Sequence, residues 1–380
     1  MLADADRHAR AALEAAQPSL VELSHRIHAH PEVGYQERQA AAGLAEALEA
    51  AGFEVRRGVA GMETALAANI GSGSLHVAIC AEYDALPEVG HACGHNVICA
   101  AALGAGLALA PLADALDLKV SILGTPAEEG GGGKIGFIEA GLFRDVHAAM
   151  MVHPWPDDVA EPSLIAVQQL DIAYHGREAH ASGFPWLGVN AADAMVVAQT
   201  AIGLLRQQLQ PGDRVHGFVT RGGEAANIIP AHTAADYMVR AATRARMDEV
   251  LELVRNCFEA GALATGARLE LALDVAYSDM RHDRALAALY RRHAEALGRV
   301  FNDEPSMPVS TDMGNVSYEV PAIHPMIGIE THGSVNHQAA FADACAGPSA
   351  DRAVFDGALA MALTVIDAAS QDPLRARLLG

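Results

Sequence analysis

Basic residues are scarce in this chain. Lys and Arg number 26 against 47 Asp and Glu, so its 380 residues carry a formal net charge of −21. No cationic stripe is available to neutralise phosphates, so neither nucleic acid nor an anionic membrane surface is expected as a partner. Cysteines are also few: Cys80, Cys93, Cys99, Cys257 and Cys345 are odd in number and scattered. That excludes a disulfide framework and fits a reducing compartment. Long apolar runs are missing as well. The longest, "VICAAALGAGLALA" from Val97 to Ala110, is broken by Pro111 and is too short to span a bilayer, so a buried core helix is expected there. The opening "MLADADRHAR" lacks the basic start and apolar stretch of a secretory signal. The expected location is the cytoplasm. Repeats and low-complexity linkers are absent, so hinges between domains must be short.

What remains is a globular composition, with 51% hydrophobic and 19% charged residues. The length exceeds one ordinary core and points to two domains. Residues 3–30 carry helical patterning, and Gln36 to Ala51 reads as a second helix closed by Gly52. "FEVRRGV", "TALAANIG", "LHVAICAEYDAL", "LKVSILGTPAEEG" and "AAMMVHP" read as strands, with the apolar helix after His95 among them. Strands alternating with helices, and polar residues just beyond strand ends, describe an open α/β sheet whose site lies at the carboxyl edge. Near residue 165 the text turns to antiparallel alternation in "LIAVQQLDIAYHG" and "HGFVTRGG". Helices follow at Asn190 to Leu209 and Asp248 to Thr265, then the strand "LELALDVAYSD". Helical text resumes from Arg281 to Val300, and "AIHPMIGI" reads as one more buried strand. The predicted architecture is an α/β protein. A catalytic domain with an open mixed sheet and helices on both faces, 1–164 plus 281–380, is interrupted by a smaller α+β domain, 165–280.

Metal-ligand types gather at the predicted strand ends: Asp84, Cys93, His95, Glu128, Glu129 and His153, with His337 far downstream. Thiolate, imidazole and carboxylate are the donors that zinc and similar divalent ions take. In "GHACGHN" Cys93 reads equally as redox thiol, nucleophile, ligand or small buried residue, although no second cysteine stands at redox spacing. Adjacent Glu128 and Glu129 point in different directions, so one can bind metal while the other stays free as a general base. Gly130 to Gly133 allow close backbone approach. A phosphate cradle is the competing reading, disfavoured by the two neighbouring carboxylates.

The stretches "HRIHAHPEVGYQE", "AEYDALPEVGHACGHN", "GTPAEEGGGGK", "HGREAHASGFPWLGVNA", "GGEAANIIP" and "STDMGNVS" occur in the order found in metallopeptidase family 20. The chain resembles its amidohydrolase branch, nearest the aminoacylase-1-like, β-alanyl-lysine dipeptidase and aminobenzoyl-glutamate hydrolase group. The likeness runs from about residue 20 to 345. It implies two divalent ions in each copy of the chain, Zn or Mn first and Co or Ni as alternatives. Cys93 would bridge them, and His95, Glu129, His153 and His337 would be the other ligands. Glu128 resembles the general base. His180 resembles the histidine of the inserted domain that stabilises the oxyanion in the partner's site of a family dimer, and Asn227 a substrate contact on that domain. The inserted domain would be the lid and the dimerisation surface. Ser310, Thr311 and Asp312 would contact a small amide substrate carrying a carboxylate, with Arg221 and Arg240 also available. Trp155 and Trp186 flank ligand motifs and could wall an acyl pocket or simply pack. Where other branches carry His-x-Asp, this chain has Glu82-Tyr83-Asp84, leaving Asp84 to orient a ligand. Asn96 stands where relatives commonly carry Asp, and His91 is left as a loop residue or an extra ligand.

The expected activity is metal-dependent hydrolysis of the amide bond of an N-acyl amino acid or dipeptide. Hydrolytic deamination of an aryl amine or amidine at the same metals is a second reading. A non-catalytic binding protein and a cysteine-nucleophile enzyme are the third and fourth.

Overall fold

The computed structural model describes residues 2–304 and 308–380. The chain forms two compact units, one of residues 1–163, 280–308 and 315–380, the other of residues 164–279 and 309–314.

The chain opens with α1 (Leu2–Ala29) and α2 (Arg38–Ala50), followed by β1 (Glu54–Arg57), β2 (Leu66–Ile70) and β3 (Leu75–Ala81). The apolar run forms α3 (His95–Leu109), and β4 (Leu118–Gly124) follows it. Then come α4 (Gly133–Glu139), β5 (Ala148–Met150) and β6 (His153–Trp155). The second unit supplies β7 (Ala166–His175), α5 (Ala191–Leu205), β8 (Arg214–Arg221), β9 (His232–Ala241), α6 (Arg244–Thr265) and β10 (Arg268–Tyr277). The chain then runs through α7 (Arg284–Ala296), α8 (Met313–Glu319), β11 (Ala322–Ile323), β12 (Met326–Gly328), α9 (Ala339–Ala344), α10 (Pro348–Ser370) and α11 (Asp372–Leu379).

In the first unit a six-stranded mixed sheet has the order β1-β2-β4-β3-β5-β11. Its central strands β4, β3 and β5 run parallel, while β1 and β2 add an antiparallel edge. β3 is buried along its whole length, as its unbroken apolar text demands. Register places Ala81 opposite Gly124, so β3 and β4 release their next residues at the same carboxyl edge. Two expectations are corrected here. "AAMMVHP" is not one strand: β5 joins the large sheet, whereas β6 pairs with β12 in a separate two-stranded sheet. "AIHPMIGI" splits in the same way into β11 and β12. Pro325, between β11 and β12, lacks the N–H that a continuing ladder needs, and both chain segments change sheets together.

The core of this unit is aliphatic and small-sided. Of α3 all residues but Leu107 are buried, and α10 is buried from Asp356 to Ala369. The helical stretch His95–Leu112, which extends α3, and α10 are long and apolar enough to cross a membrane by length and composition, yet each lies mostly inside the fold. Alanine and glycine let α1, α3 and α10 approach closely. A Cβ on Gly104 would stand 2.8 Å from the Ala358 Cβ and 3.0 Å from the Leu13 and Leu20 methyls.

The second unit is a four-stranded antiparallel sheet, β10-β7-β9-β8, with α5 and α6 packed on it around Tyr174, Tyr237 and Phe258. The Tyr174 hydroxyl donates to the Phe258 carbonyl at 2.6 Å, which satisfies the one polar atom of that buried ring. β8 is an edge strand and is exposed except at Val215.

Gly104→Val tests the close helix packing. Its extra atoms meet three packed neighbours, so a loss of about 1–3 kcal/mol is expected in a chemical denaturation midpoint, with unchanged secondary structure by circular dichroism.

Candidate metal centre

The carboxyl edge of β3 and β4 carries two short acidic segments. Past Ala81 come Glu82, Tyr83 and Asp84, and past Gly124 come Thr125 to Glu129. The Thr125 N–H donates to the Ala81 carbonyl at 2.8 Å, so the segments leave the sheet side by side. Asp84 is fully buried and connects three parts of the site. One oxygen lies 3.0 Å from His95 Nδ1, and the other accepts the Glu129 N–H at 3.0 Å. Burial alone would raise its carboxyl, but the His95 charge and these hydrogen bonds hold it below its ordinary range.

Cys93 and His95 are placed by a glycine that no other residue could replace. Gly94 caps α3 in the left-handed region at φ 74°, and a Cβ there would stand 2.8 Å from the Pro154 ring. Cys93 is therefore on the loop, while His95 is the first residue of the helix. His337 joins from its own loop, where its N–H donates to the Ala92 carbonyl at 2.9 Å. His153 enters at the start of β6 and commits Nδ1 to the Pro154 carbonyl at 2.8 Å, which leaves Nε2 to offer a lone pair. Burial and then the His95 charge push its pKa down to about 4, so it is neutral near pH 7.

Ligand atoms converge in three groups, each within 4.8 Å: Cys93, His95 and His153; Cys93, Glu129 and His337; Glu82, His95 and Glu128. Two tests show that a cation fits. First, His95 Nε2, Glu129 Oε1 and Glu82 Oε2 are buried with no hydrogen-bond partner, an unfavourable arrangement unless something positive satisfies them. Second, the donors are thiolate, imidazole and carboxylate, the set that divalent transition ions take. Without a cation, a proton takes its place. Burial pushes the His95 imidazole down, but Asp84 and Glu82 outweigh it and hold the pKa well above its ordinary value. Burial, then Glu129 and Glu128, push the Cys93 thiol well up. A neutral thiol so placed is a poor nucleophile by itself.

Several supporting residues were not singled out in the sequence. Glu37 is buried. It accepts from the Ala127 N–H at 2.9 Å, the Thr64 hydroxyl at 2.7 Å and the Tyr35 N–H at 2.9 Å. It thereby holds Ala127 at φ 57°, a strained conformation for alanine, one residue before Glu128. Glu82 and Lys134 form a buried ion pair. His324 is fully buried, with its ring 5.5 Å from that of His153. The alternation of Glu82 with Asp84 past an apolar strand was a visible signal. Glu37 and His324 had none, because their partners are remote in sequence. The two open residues have definite surroundings. Asn96 is a tie, donating to the Ser24 hydroxyl at 2.8 Å and the Cys345 carbonyl at 2.9 Å. His91 is buried, stacks on His28, and belongs to none of the three ligand groups.

In the second unit His180 and Asn227 are neighbours, the Ala181 N–H donating to the Asn227 carbonyl at 3.0 Å. His180 Nδ1 accepts from the Gly183 N–H at 3.0 Å, which places the ring proton on Nε2, and the side chain is exposed. Ser310 accepts from Arg240 at 3.1 Å, and Thr311 and Asp312 are buried beside it in sequence. Trp155 is half-buried, whereas Trp186 is 72% exposed in a T-shaped pair with Phe184.

Fold and site together define a metal-dependent hydrolase of carbon–nitrogen bonds. The chain belongs to Peptidase family M20/M25/M40, whose model matches residues 78–350. It is similar to the Xaa-Arg dipeptidase of Mus musculus, 37% identical over 381 residues that cover 95% of this chain and 88% of the relative. It is also similar to a p-aminobenzoyl-glutamate hydrolase chain of Escherichia coli (strain K12), 32% identical over 74% of this chain and 63% of the relative. A putative aminohydrolase from methicillin resistant Staphylococcus aureus shares the fold, with TM-score 0.80 at 20% identity over 95% of this chain and 99% of that one. So does a Bacillus subtilis dinuclear metal binding peptidase, with TM-score 0.73 at 22% identity over 93% and 98% of the two chains.

Glu37→Ala checks what holds the Glu128 loop. Each orphaned buried donor costs roughly 1–3 kcal/mol, so the variant is expected to unfold at clearly lower denaturant, and amide exchange should accelerate at residues 125–131.

Proposed function

We propose that this chain is a cytoplasmic, homodimeric dipeptidase holding two divalent ions, zinc or manganese, and that it cleaves the amide bond of a dipeptide or N-acyl amino acid with a free carboxylate. The observation that carries the metal pair is that Cys93 belongs to two of the ligand groups, with His95 and His153 on one side and Glu129 and His337 on the other. One relative's name, Xaa-Arg dipeptidase, supports a dipeptide. The net charge of −21 favours a substrate with a cationic side chain. The exposed edge strand β8 supports pairing between copies.

Bound divalent ions would supply charge to polarise the scissile carbonyl and acidify the attacking water. Glu128 takes the proton from that water and returns it to the leaving amine. Its neighbour Glu129 has its N–H anchored on Asp84, and that anchor holds the two carboxylates apart in role. His180, with its proton on Nε2, donates to the developing oxyanion in the partner's site of a dimer. Asn227 and the segment Ser310 to Asp312 orient the substrate.

Glu128→Gln is expected to lower kcat by roughly 10²–10⁴ while metal content is unchanged, read by steady-state kinetics alongside elemental analysis. A screen of dipeptides and N-acyl amino acids should find hydrolysis in protein reloaded with Mn²⁺ or Zn²⁺ and none after chelation. Equal turnover by the chelated protein would rule out the proposal.

A further inference from the structure

We propose that Glu82 is an additional ligand on the His95 side of the centre, and that Lys134 is the positioning residue that aims it. This rests on the metal reading above. His95 commits Nδ1 to Asp84 at 3.0 Å, so only Nε2 can bind a cation. That nitrogen lies 3.5 Å from Glu82 Oε2 and 4.0 Å from Glu128 Oε2, and His95 also groups with Cys93 and His153. One imidazole nitrogen serves one ion, so an ion held by Cys93, His95 and His153 would have the Glu82 carboxylate beside the same nitrogen, nearer than that of Glu128.

The carboxylate of Glu82 is oriented for this role. It is fully buried, and Lys134 Nζ donates to Oε1. Oε2 has no hydrogen-bond partner and lies 3.5 Å from His95 Nε2. A purely structural ion pair would turn both oxygens to donors, whereas here one is anchored and the other faces the ligand nitrogen. The glycine run explains how the lysine gets there. A Cβ on Gly133 would stand 1.9 Å from the Pro126 carbonyl oxygen, so only glycine lets the backbone pass this close and send Lys134 into the core. Adding a carboxylate oxygen to one sulfur and two nitrogens carries the site beyond a three-ligand tetrahedral set once a water binds. That leaves room for an ion tolerant of higher coordination, such as Co²⁺.

The test uses the full chain loaded with Co²⁺. Equivalents bound are counted by elemental analysis, affinity is measured by competition with a chromophoric chelator, and coordination is read from the visible Co²⁺ absorption. Glu82→Gln should weaken one of two equivalents by about tenfold or more, and its visible band should intensify as the site falls to four ligands. Lys134→Met should weaken the same equivalent to a smaller degree. Glu82→Asp keeps the charge but withdraws the oxygen by one methylene, and should fall between wild type and Glu82→Gln. Two equivalents at wild-type affinity with an unchanged spectrum in Glu82→Gln overturn the inference while leaving the metal centre intact. Should that variant fail to fold, the same result in Glu82→Asp overturns it. An unmodified chain that binds no Co²⁺ overturns the metal centre itself.

Discussion

Too much negative charge in too small and dry a space is the constraint on which this molecule is built. Glu82, Asp84 and Glu128 are buried, Glu129 nearly so, and the Cys93 thiol lies among them. Like charges cannot share such a volume without a compensating cation, because each would carry a large desolvation cost alone. Lys134 offsets part of it. Cations between the ligands would offset the rest, and they are what the hydrolytic chemistry requires.

The rest of the first unit serves that cluster. Parallel pairing of β3 with β4 delivers two acidic segments to one edge. Small residues let α1, α3 and α10 pack tightly, which fixes His95 at the start of α3. Glu37 and Asp84 accept hydrogen bonds from the backbone N–H groups of Ala127 and Glu129, and so decide where Glu128 and Glu129 point. Ala127 is left-handed at this junction, the kind of local strain that a surrounding hydrogen-bond network can sustain next to chemistry.

Much of the site was legible because its ligands come in short motifs. Cys93 and His95 stand two apart in a glycine loop, Glu128 and Glu129 are adjacent after an apolar strand, and the structure brings them together with His153, His337 and Asp84. Secondary structure was legible where patterning was long, as in α3, β3 and β7, and misread where strands shrink to two or three residues. β6, β11 and β12 are too short for alternation to register, and their sheet membership depends on which neighbour they meet.

Residue type and local period were enough to give the donor chemistry and the order of the motifs. The residues that hold the donors in place came only with the folded chain. Asn96 bonds residues 24 and 345, Glu37 bonds residues 64 and 127, and Glu82 meets Lys134 across fifty-two positions. Those partners are set by helix packing and strand order, and no local pattern in a chain can specify which distant group will fill a buried hydrogen bond.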